Sequence, residues 1–308
     1  MEEIKFVVQE SDAGLRLDKC IAVNHPAVSR SYVQKLIESG GAWINGNTGR
    51  CKDFVKVGDE VKVLIPAPEG LEVEAEDIPL KIIYEDDDLI VVDKPKGLVV
   101  HPAAGHFTGT LVNGLLYHCN GSLSGINGIL RPGIVHRIDK DTTGIIVACK
   151  NDVAHRGLAE QFKEHSITRR YDALVYGVFK EPEGRIESLI SRNPEERMKM
   201  MVNPVRGKYA VTNYRVVEQF GTKYSHIVCQ LETGRTHQIR VHMSSLGHPL
   251  LGDTIYGPKK DPFQLTGQTL HAGVLGFTHP TTGEYMEFSS DLPQYFYELI
   301  QKFRNQFG

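Results

Sequence analysis

The stretch GIVHRIDKDTTGIIVACKN, from Gly133 to Asn151, constrains the fold most. Ile145, Ile146, Val147, Ala148 and Cys149 form an apolar run with no polar position and predict a buried strand. His136, Arg137, Asp139, Lys140 and Asp141 then fall on the loop that enters it. A strand without a polar face needs a core around it, and 308 residues can bury a large one and hold more than one domain. The loop is either a solvated turn or a place where chemistry is held.

Composition excludes several classes. With 41% hydrophobic and 24% charged residues the chain reads as an ordinary globular protein. No apolar run is long enough to span a bilayer, so no membrane association is expected. Met1-Glu2-Glu3-Ile4-Lys5 lacks the basic-then-apolar pattern of a signal peptide. Cys20, Cys51, Cys119, Cys149 and Cys229 lie far apart without a CxxC pair, which argues against a zinc ribbon, a redox motif or a disulfide framework. A reduced, cytoplasmic protein is expected. Net charge is −3, but it is unevenly spread. Residues 15–65 carry eight Lys/Arg against five Asp/Glu, whereas residues 66–97 carry ten acids against three lysines.

The basic segment reads as a small unit over residues 1–66. Ser31 with Gln34 makes a capping box, and Val33, Leu36 and Ile37 fall on one helix face that Gly40-Gly41 ends. Trp43-Ile44 and Val61 to Ile65 predict short strands, with a turn at Asn45-Gly46. Arg16, Lys19, Arg30 and Lys35 either form a solvated helix face, the commoner outcome, or face phosphates. LRLDKCI, SRSYVQKLIESGGAWING and VKVGDEVKVLIP resemble the alpha-L RNA-binding module first known in ribosomal small-subunit protein four. That resemblance implies binding of structured RNA through two helices, with Arg30, Ser31 and Lys35 as contacts. PAPEGLEVEAEDIPL follows, proline-marked and acidic, and residues 67–80 read as a linker.

Residues 81–308 read as one α+β domain with a mixed, mainly antiparallel sheet. KIIYEDDDLIVVDKP predicts two strands around an acidic turn; RRYDALVYGVF, YAVTNYRVVEQ, YSHIVCQLETG and LHAGVLGFTHP predict four more. GTLVNGLLYHCN, NDVAHRGLAEQFKEH, RTHQIRVHMSSLG and LPQYFYELIQKFRNQF predict helices, with Asn151 capping the second and Gly247 ending the third. No GxGxxG or GxxxxGK[ST] stands in the right context, so no nucleotide cofactor is expected. His226, His237, His242 and His248 lack metal-ligand spacing and read as packing or hydrogen-bonding histidines. No GxSxG elbow supports a serine hydrolase.

Carboxylate chemistry at Asp139 remains. Alone, Asp139 in an RxD would cap a turn or pair with Arg137, and Gly144 would be turn punctuation. Arg235 and Arg240, in GRTHQIR, offer cations that can pair with it, and Tyr171 offers an aromatic face. A carboxylate, cations and a ring suit an extruded base, so a base-handling RNA enzyme is plausible, with the reaction open. Other classes are an RNA-binding protein without catalysis and a carboxylate-dependent RNA or nucleoside hydrolase.

HRIDKDTTG resembles the catalytic motif of the RNA pseudouridine synthases, in the branch that modifies large-subunit ribosomal RNA and some transfer RNA. KPKGLVVHPAAGHFTGTLVNGLL, RRYDALVYG, LETGRTHQIRVHMSSLGHPLLGDTIYG and LHAGVLGFTHPTTGE match in the family's order. Together with the N-terminal module the arrangement is similar to the large-subunit synthase D type. Ile138 and Thr143 depart from the commoner leucine and serine. The resemblance implies a pseudouridine synthase fold and isomerisation of uridine in RNA without cofactor or metal. It implies Asp139 as the catalytic aspartate, Arg240 as its ion partner, and Tyr171 as the aromatic packed on the uracil. Arg137 would take the extruded base's place, and Arg235 would meet phosphate or support structure. Ribosomal RNA is the expected partner, transfer RNA the second, and the protein is expected to be a monomer.

Overall fold

The structure, a computed structural model, describes residues 2–25, 28, 30–65, 73–103, 106–128, 130–196 and 198–307, with the side chains of residues 2 and 31 outside the described set. The chain divides into two compact units, Met1–Leu71 and Glu72–Gly308.

The first unit runs β1 (Glu2–Val7), a short 3-10 turn, α1 (Leu17–Asn24), α2 (Arg30–Glu38), β2 (Ala42–Ile44), β3 (Asn47–Thr48) and β4 (Glu60–Ile65). Its sheet is antiparallel in the order β1-β4-β2-β3. Asn45 and Gly46 both take positive φ, as a two-residue hairpin between β2 and β3 requires. Val33, Leu36 and Ile37 of α2 are buried against Leu17 and Ile21 of α1 and Val61 and Val63 of β4, giving the unit its own core. The expected capping box is not what Gln34 forms. Its amide donates to Asp18 of α1 (2.5 Å), a stronger, charge-assisted bond. Ser31 falls inside α2, and its side chain lies outside the described residues.

The second unit contains β5 (Lys81–Glu85), β6 (Leu89–Lys94), α3 (Leu111–His118), β7 (Thr143–Cys149), α4 (Asp152–Glu164), β8 (Thr168–Tyr176), β9 (Glu183–Arg192), β10 (Met200–Val202), β11 (Lys208–Phe220), β12 (Tyr224–Leu231), α5 (Gln238–Ser245), β13 (Leu270–Thr278), β14 (Tyr285–Ser289) and α6 (Gln294–Phe307). One sheet follows the order β10-β9-β11-β12-β8-β13-β7-β6-β5, with β14 added beside β13. The pairings are antiparallel except β13 with β7. The fold is thus α+β with a mixed, mainly antiparallel sheet.

Part of the expected linker belongs to this unit. Residues 66–72 lie outside the described set, but Val73 and Leu80 pack on the large core, and Asn113 of α3 binds the backbone of Glu74 and Glu76. Burial of these apolar side chains outweighs the acidity that marks the segment in sequence.

Three details position the site. Every residue of β7 is buried, as its apolar run requires. Gly144 has φ +108°, and a Cβ there would strike the Ala272 carbonyl oxygen, so it is where the parallel strands meet and not turn punctuation. In β8, Arg169, Tyr171, Ala173 and Val175 alternate onto the buried face.

Candidate active site

The loop before β7 is held from several directions. The Thr142 amide donates to the Asp139 carbonyl (3.0 Å), closing a turn. Buried Gln268 donates to the Thr142 hydroxyl (3.0 Å), and the Thr143 hydroxyl meets His271 Nδ1 (2.9 Å). Lys94, fully buried, donates to the carbonyls of Pro95, Leu98 and Lys140 (2.8–2.9 Å) and so ties the loop to the turn after β6. Burial pushes the Lys94 pKa down, with Asp141 and Asp139 opposing. His136 accepts the Val147 amide (3.0 Å) and stacks on Phe162; burial and Arg169 push it down to about 3. It is a neutral structural histidine.

This scaffold leaves the Asp139 carboxylate facing a cleft lined by Arg137, Tyr171, Leu231, Arg235, His237, Arg240 and Leu270. Asp139 keeps 18% of its side chain exposed, whereas its partner Arg240 keeps 4%. Arg240 Nη1 donates to Asp139 Oδ2 at 2.7 Å. Its Nε and Nη2 donate to the two oxygens of fully buried Asp253, at 2.7 and 2.9 Å. Burial opposes the Arg240 charge, but the Asp253 hydrogen bonds and the fields of both carboxylates outweigh it, and the guanidinium pKa is raised. Burial likewise opposes ionisation of Asp253, and Arg240 overcomes it.

The remaining groups complete a half-polar wall. Tyr171 is 9% exposed, and burial pushes its phenol up, so it stays protonated. His237, in a left-handed conformation at the start of α5, has Nε2 3.8 Å from Asp139 and Nδ1 2.9 Å from the Tyr256 hydroxyl. Burial lowers its pKa, so it faces Asp139 as a neutral ring at pH 7. Arg137 is exposed at the cleft mouth, its Nη1 3.5 Å from His101 Nε2. His101 Nδ1 lies 3.0 Å from the Pro102 carbonyl and must carry the hydrogen there, which leaves Nε2 as an acceptor toward Arg137.

Asp139, Tyr171, Arg240, Arg137 and Arg235 thus meet at one cleft, although they span about a hundred residues. The two expected cations differ: Arg240 takes the carboxylate, while Arg235 donates to the Tyr209 carbonyl (2.8 Å). Asp253, Tyr256, His237 and His101 escaped sequence reading in these roles. GDTIYG and VVHP lie inside the stretches that match the family, but nothing local says that they converge on Asp139.

In the first unit the basic residues separate. Arg16 and Arg30 are both turned to Asp18, at 3.1 and 3.0 Å, so they are not a plain phosphate-facing row. Lys19 and Lys35 are exposed on α1 and α2. Of the other histidines, His226 meets Asp172, His242 meets Ser188 and Thr212, and His248 meets the Tyr176 carbonyl. Among the described residues, Asp86, Asp88 and His279 lie close enough to share a cation. Their geometry has another explanation. His279 Nδ1 accepts the amides of Thr281 and Thr282, so Nε2 carries the hydrogen and donates to Asp86 (3.0 Å). No helix among the described residues is long and apolar enough to cross a membrane.

Comparisons with known proteins show the family. A family profile described as RNA pseudouridylate synthase matches residues 88–245. An uncharacterized RNA pseudouridine synthase of Bacillus subtilis is 49% identical over 99% of this chain and 99% of its own. The ribosomal large subunit pseudouridine synthase D of Zymomonas mobilis is 47% identical over 94% of each. The solved structure of human RNA Pseudouridylate Synthase Domain Containing 1 superposes with a TM-score of 0.56 at 28% identity, covering 77% of this chain and 97% of that one. A profile over half the chain and near-full-length relatives show that this protein belongs to the RNA pseudouridine synthases, enzymes that isomerise uridine within RNA.

Proposed function

We propose that Asp139 is the catalytic carboxylate, acting on a uridine extruded from large-subunit ribosomal RNA into the cleft beside Tyr171. Transfer RNA is the second substrate class. The observation that carries this reading is the 2.7 Å pair of Asp139 with Arg240, buried on the arginine side and open to the cleft on the carboxylate side. Isomerisation breaks the C1′–N1 bond, turns the uracil, and forms C1′–C5; the C5 proton leaves and N1 regains one. A carboxylate has three routes into this sequence: attack on the ribose, attack on the base, or proton abstraction. Each begins from the carboxylate form, whose Oδ2 accepts the Arg240 Nη1 hydrogen bond. Tyr171, protonated and mostly buried, packs on the uracil and supplies a proton donor. Arg137, exposed at the mouth, fills the space the base leaves, and Arg235 meets a flanking phosphate.

The relatives named as large-subunit synthases support the ribosomal target, and the two helices and basic exterior of the first unit support its reading as an RNA-binding module. Arg30, Ser31, Lys35, Arg16 and Lys19 are its proposed contacts. The enzyme is read as a cytoplasmic monomer needing neither metal nor cofactor.

Product analysis tests the reaction. Wild-type protein on unmodified ribosomal RNA should leave strand mass unchanged and create pseudouridine, and Asp139→Asn should create none. Released free uracil would mark a hydrolase, and an unaltered strand a binding protein; either would overturn the reading.

A further inference from the structure

Three N–H groups of Arg240 point at two carboxylates, and only one of those carboxylates reaches the cleft. Asp253 is fully buried, yet sequence and mechanism leave it without a role. We propose that Asp253 is a positioning residue of the isomerisation: it locks Arg240 edge-on, so that a single N–H meets Asp139, and it shares the guanidinium charge so that Asp139 stays reactive. This rests on the reading of Asp139 as the catalytic carboxylate.

The geometry is specific. Nε and Nη2 form one bidentate edge of the guanidinium, and both are taken by Asp253. A planar fork held along one edge cannot rotate, so Nη1 is aimed at Asp139. Asp253 is itself fixed, because its Oδ1 accepts the amides of Ile255 and Tyr256, each at 3.0 Å. The Tyr256 ring lies 5.2 Å from the guanidinium carbon. The charge count matters as much as the orientation. A guanidinium devoted to one carboxylate at this distance, with little water, would hold that carboxylate's electrons tightly and weaken it as nucleophile or base. Two carboxylates on one cation leave the cluster net negative, and Asp139 is the member open to substrate. His237, Tyr171, Tyr256 and Lys94 feel the charge of Asp139, and Arg137 and Arg235 line the same cleft. His237 and Tyr256 also feel Asp253.

A merely structural Asp253 would affect melting and leave the pH dependence of chemistry alone. The test uses full-length enzyme and unmodified large-subunit ribosomal RNA carrying tritium at uridine C5, whose release counts turnovers. Under chemistry-limited conditions Asp253→Asn should lower kcat at least roughly tenfold, with KM within about threefold. The acid limb of its pH–rate profile should move to lower pH, because Asp139 then faces an undivided cation. Asp253→Glu keeps the charge but misplaces the fork, so kcat should fall while the acid limb stays. Wild-type kcat in Asp253→Asn, or an acid limb that is unmoved or raised, overturns the proposal. Should Asp253→Asn fail to fold, Asp253→Glu decides: wild-type kcat or a displaced limb overturns it. Asp139→Asn is run alongside. If that variant turns over, the reading of Asp139 fails; if it is dead while Asp253→Asn behaves as wild type, only the role of Asp253 fails.

Discussion

Each unit of the molecule holds an arginine–aspartate cluster, and the two have opposite partners buried. In the first unit, Arg16, Arg30 and Gln34 converge on Asp18, which is 0% exposed, while the arginines remain 40% and 50% exposed. In the second, Arg240 is 4% exposed and shared by buried Asp253 and cleft-facing Asp139. Which partner is buried decides what a ligand meets. A buried carboxylate with its oxygens occupied holds two helices together and turns positive charge outward. A buried cation shared by two carboxylates turns one of those carboxylates outward, to the cleft. The same residue pair therefore serves anchoring in one place and, on the proposed reading of Asp139, chemistry in the other.

The largest expected effect is at the outward acid. Asp139→Asn should reduce turnover by more than roughly a thousandfold, with fold and RNA affinity retained, because the amide cannot act as an ionised group. Turnover within about tenfold of wild type would remove chemistry from the comparison. Arg240→Met comes next, with a loss of about a hundredfold in rate and little in binding. Its sign on pH is opposite to that of Asp253→Asn. Without the cation the Asp139 carboxyl keeps its proton to higher pH, so the acid limb of a chemistry-limited profile moves up. An unmoved limb would mean that the pair does not set the reactive ionisation.

The two clusters were unequally legible in the sequence. Asp139 stood out because HRIDKDTTG precedes a run that can only be a buried strand, and Tyr171 and Arg240 stood out because RRYDALVYG and GRTHQIR match the family's motifs. The strands β7, β8, β12 and β13 followed from apolar patterning, and Asn151 caps α4 as its position implied. Asp253 and Asp18 lie inside matching motifs, but nothing in the sequence assigned either a role. One follows a glycine in a turn and the other sits among polar residues of a short helix, and their partners lie 13 and 12 positions away in Arg240 and Arg30. Local pattern does not encode such pairings; packing does. The same holds for residues 73–80, whose acids suggest solvent while Val73 and Leu80 find the core.

Asp18 tests the anchoring half. Burial raises the cost of its charge, but hydrogen bonds from Gln34, Arg30 and Arg16 lower its pKa below the ordinary value. A depressed folded pKa contributes stability above the unfolded carboxyl value and loses it as pH falls, so the first unit should weaken below about pH 4. Asp18→Ala should cost that unit about 1–3 kcal/mol. Trp43, the single tryptophan, lies in β2 of the same unit and reports its urea unfolding separately. Turnover on a short, saturating substrate should be unchanged, since the second unit has its own core. Wild-type unfolding of Asp18→Ala would show the cluster to be incidental.

The smallest effect separates outward charge that is shared from outward charge that is not. Deleting residues 1–71 removes Arg16, Lys19, Arg30 and Lys35 but leaves residues 73–80 to cover the large core. The truncated enzyme should remain folded and bind ribosomal RNA more weakly, with a shallower dependence on salt. Each lost phosphate contact reduces the log–log slope by roughly 0.7 to 0.9. Within the intact chain, Lys19→Ala with Lys35→Ala should reproduce most of that change, because neither lysine sits in the Asp18 cluster. Arg16→Ala with Arg30→Ala should change the slope less per residue, since Asp18 already neutralises part of their charge, and should lower the Trp43 unfolding midpoint, which the lysine pair should not. A salt series on one ribosomal RNA fragment compares all four proteins. Equal slopes for the arginine and lysine pairs would mean that pairing with Asp18 does not withhold charge from RNA. Identical affinity and slope for full-length and truncated enzyme would withdraw the RNA-binding role of the first unit and leave Asp18 as an anchor alone.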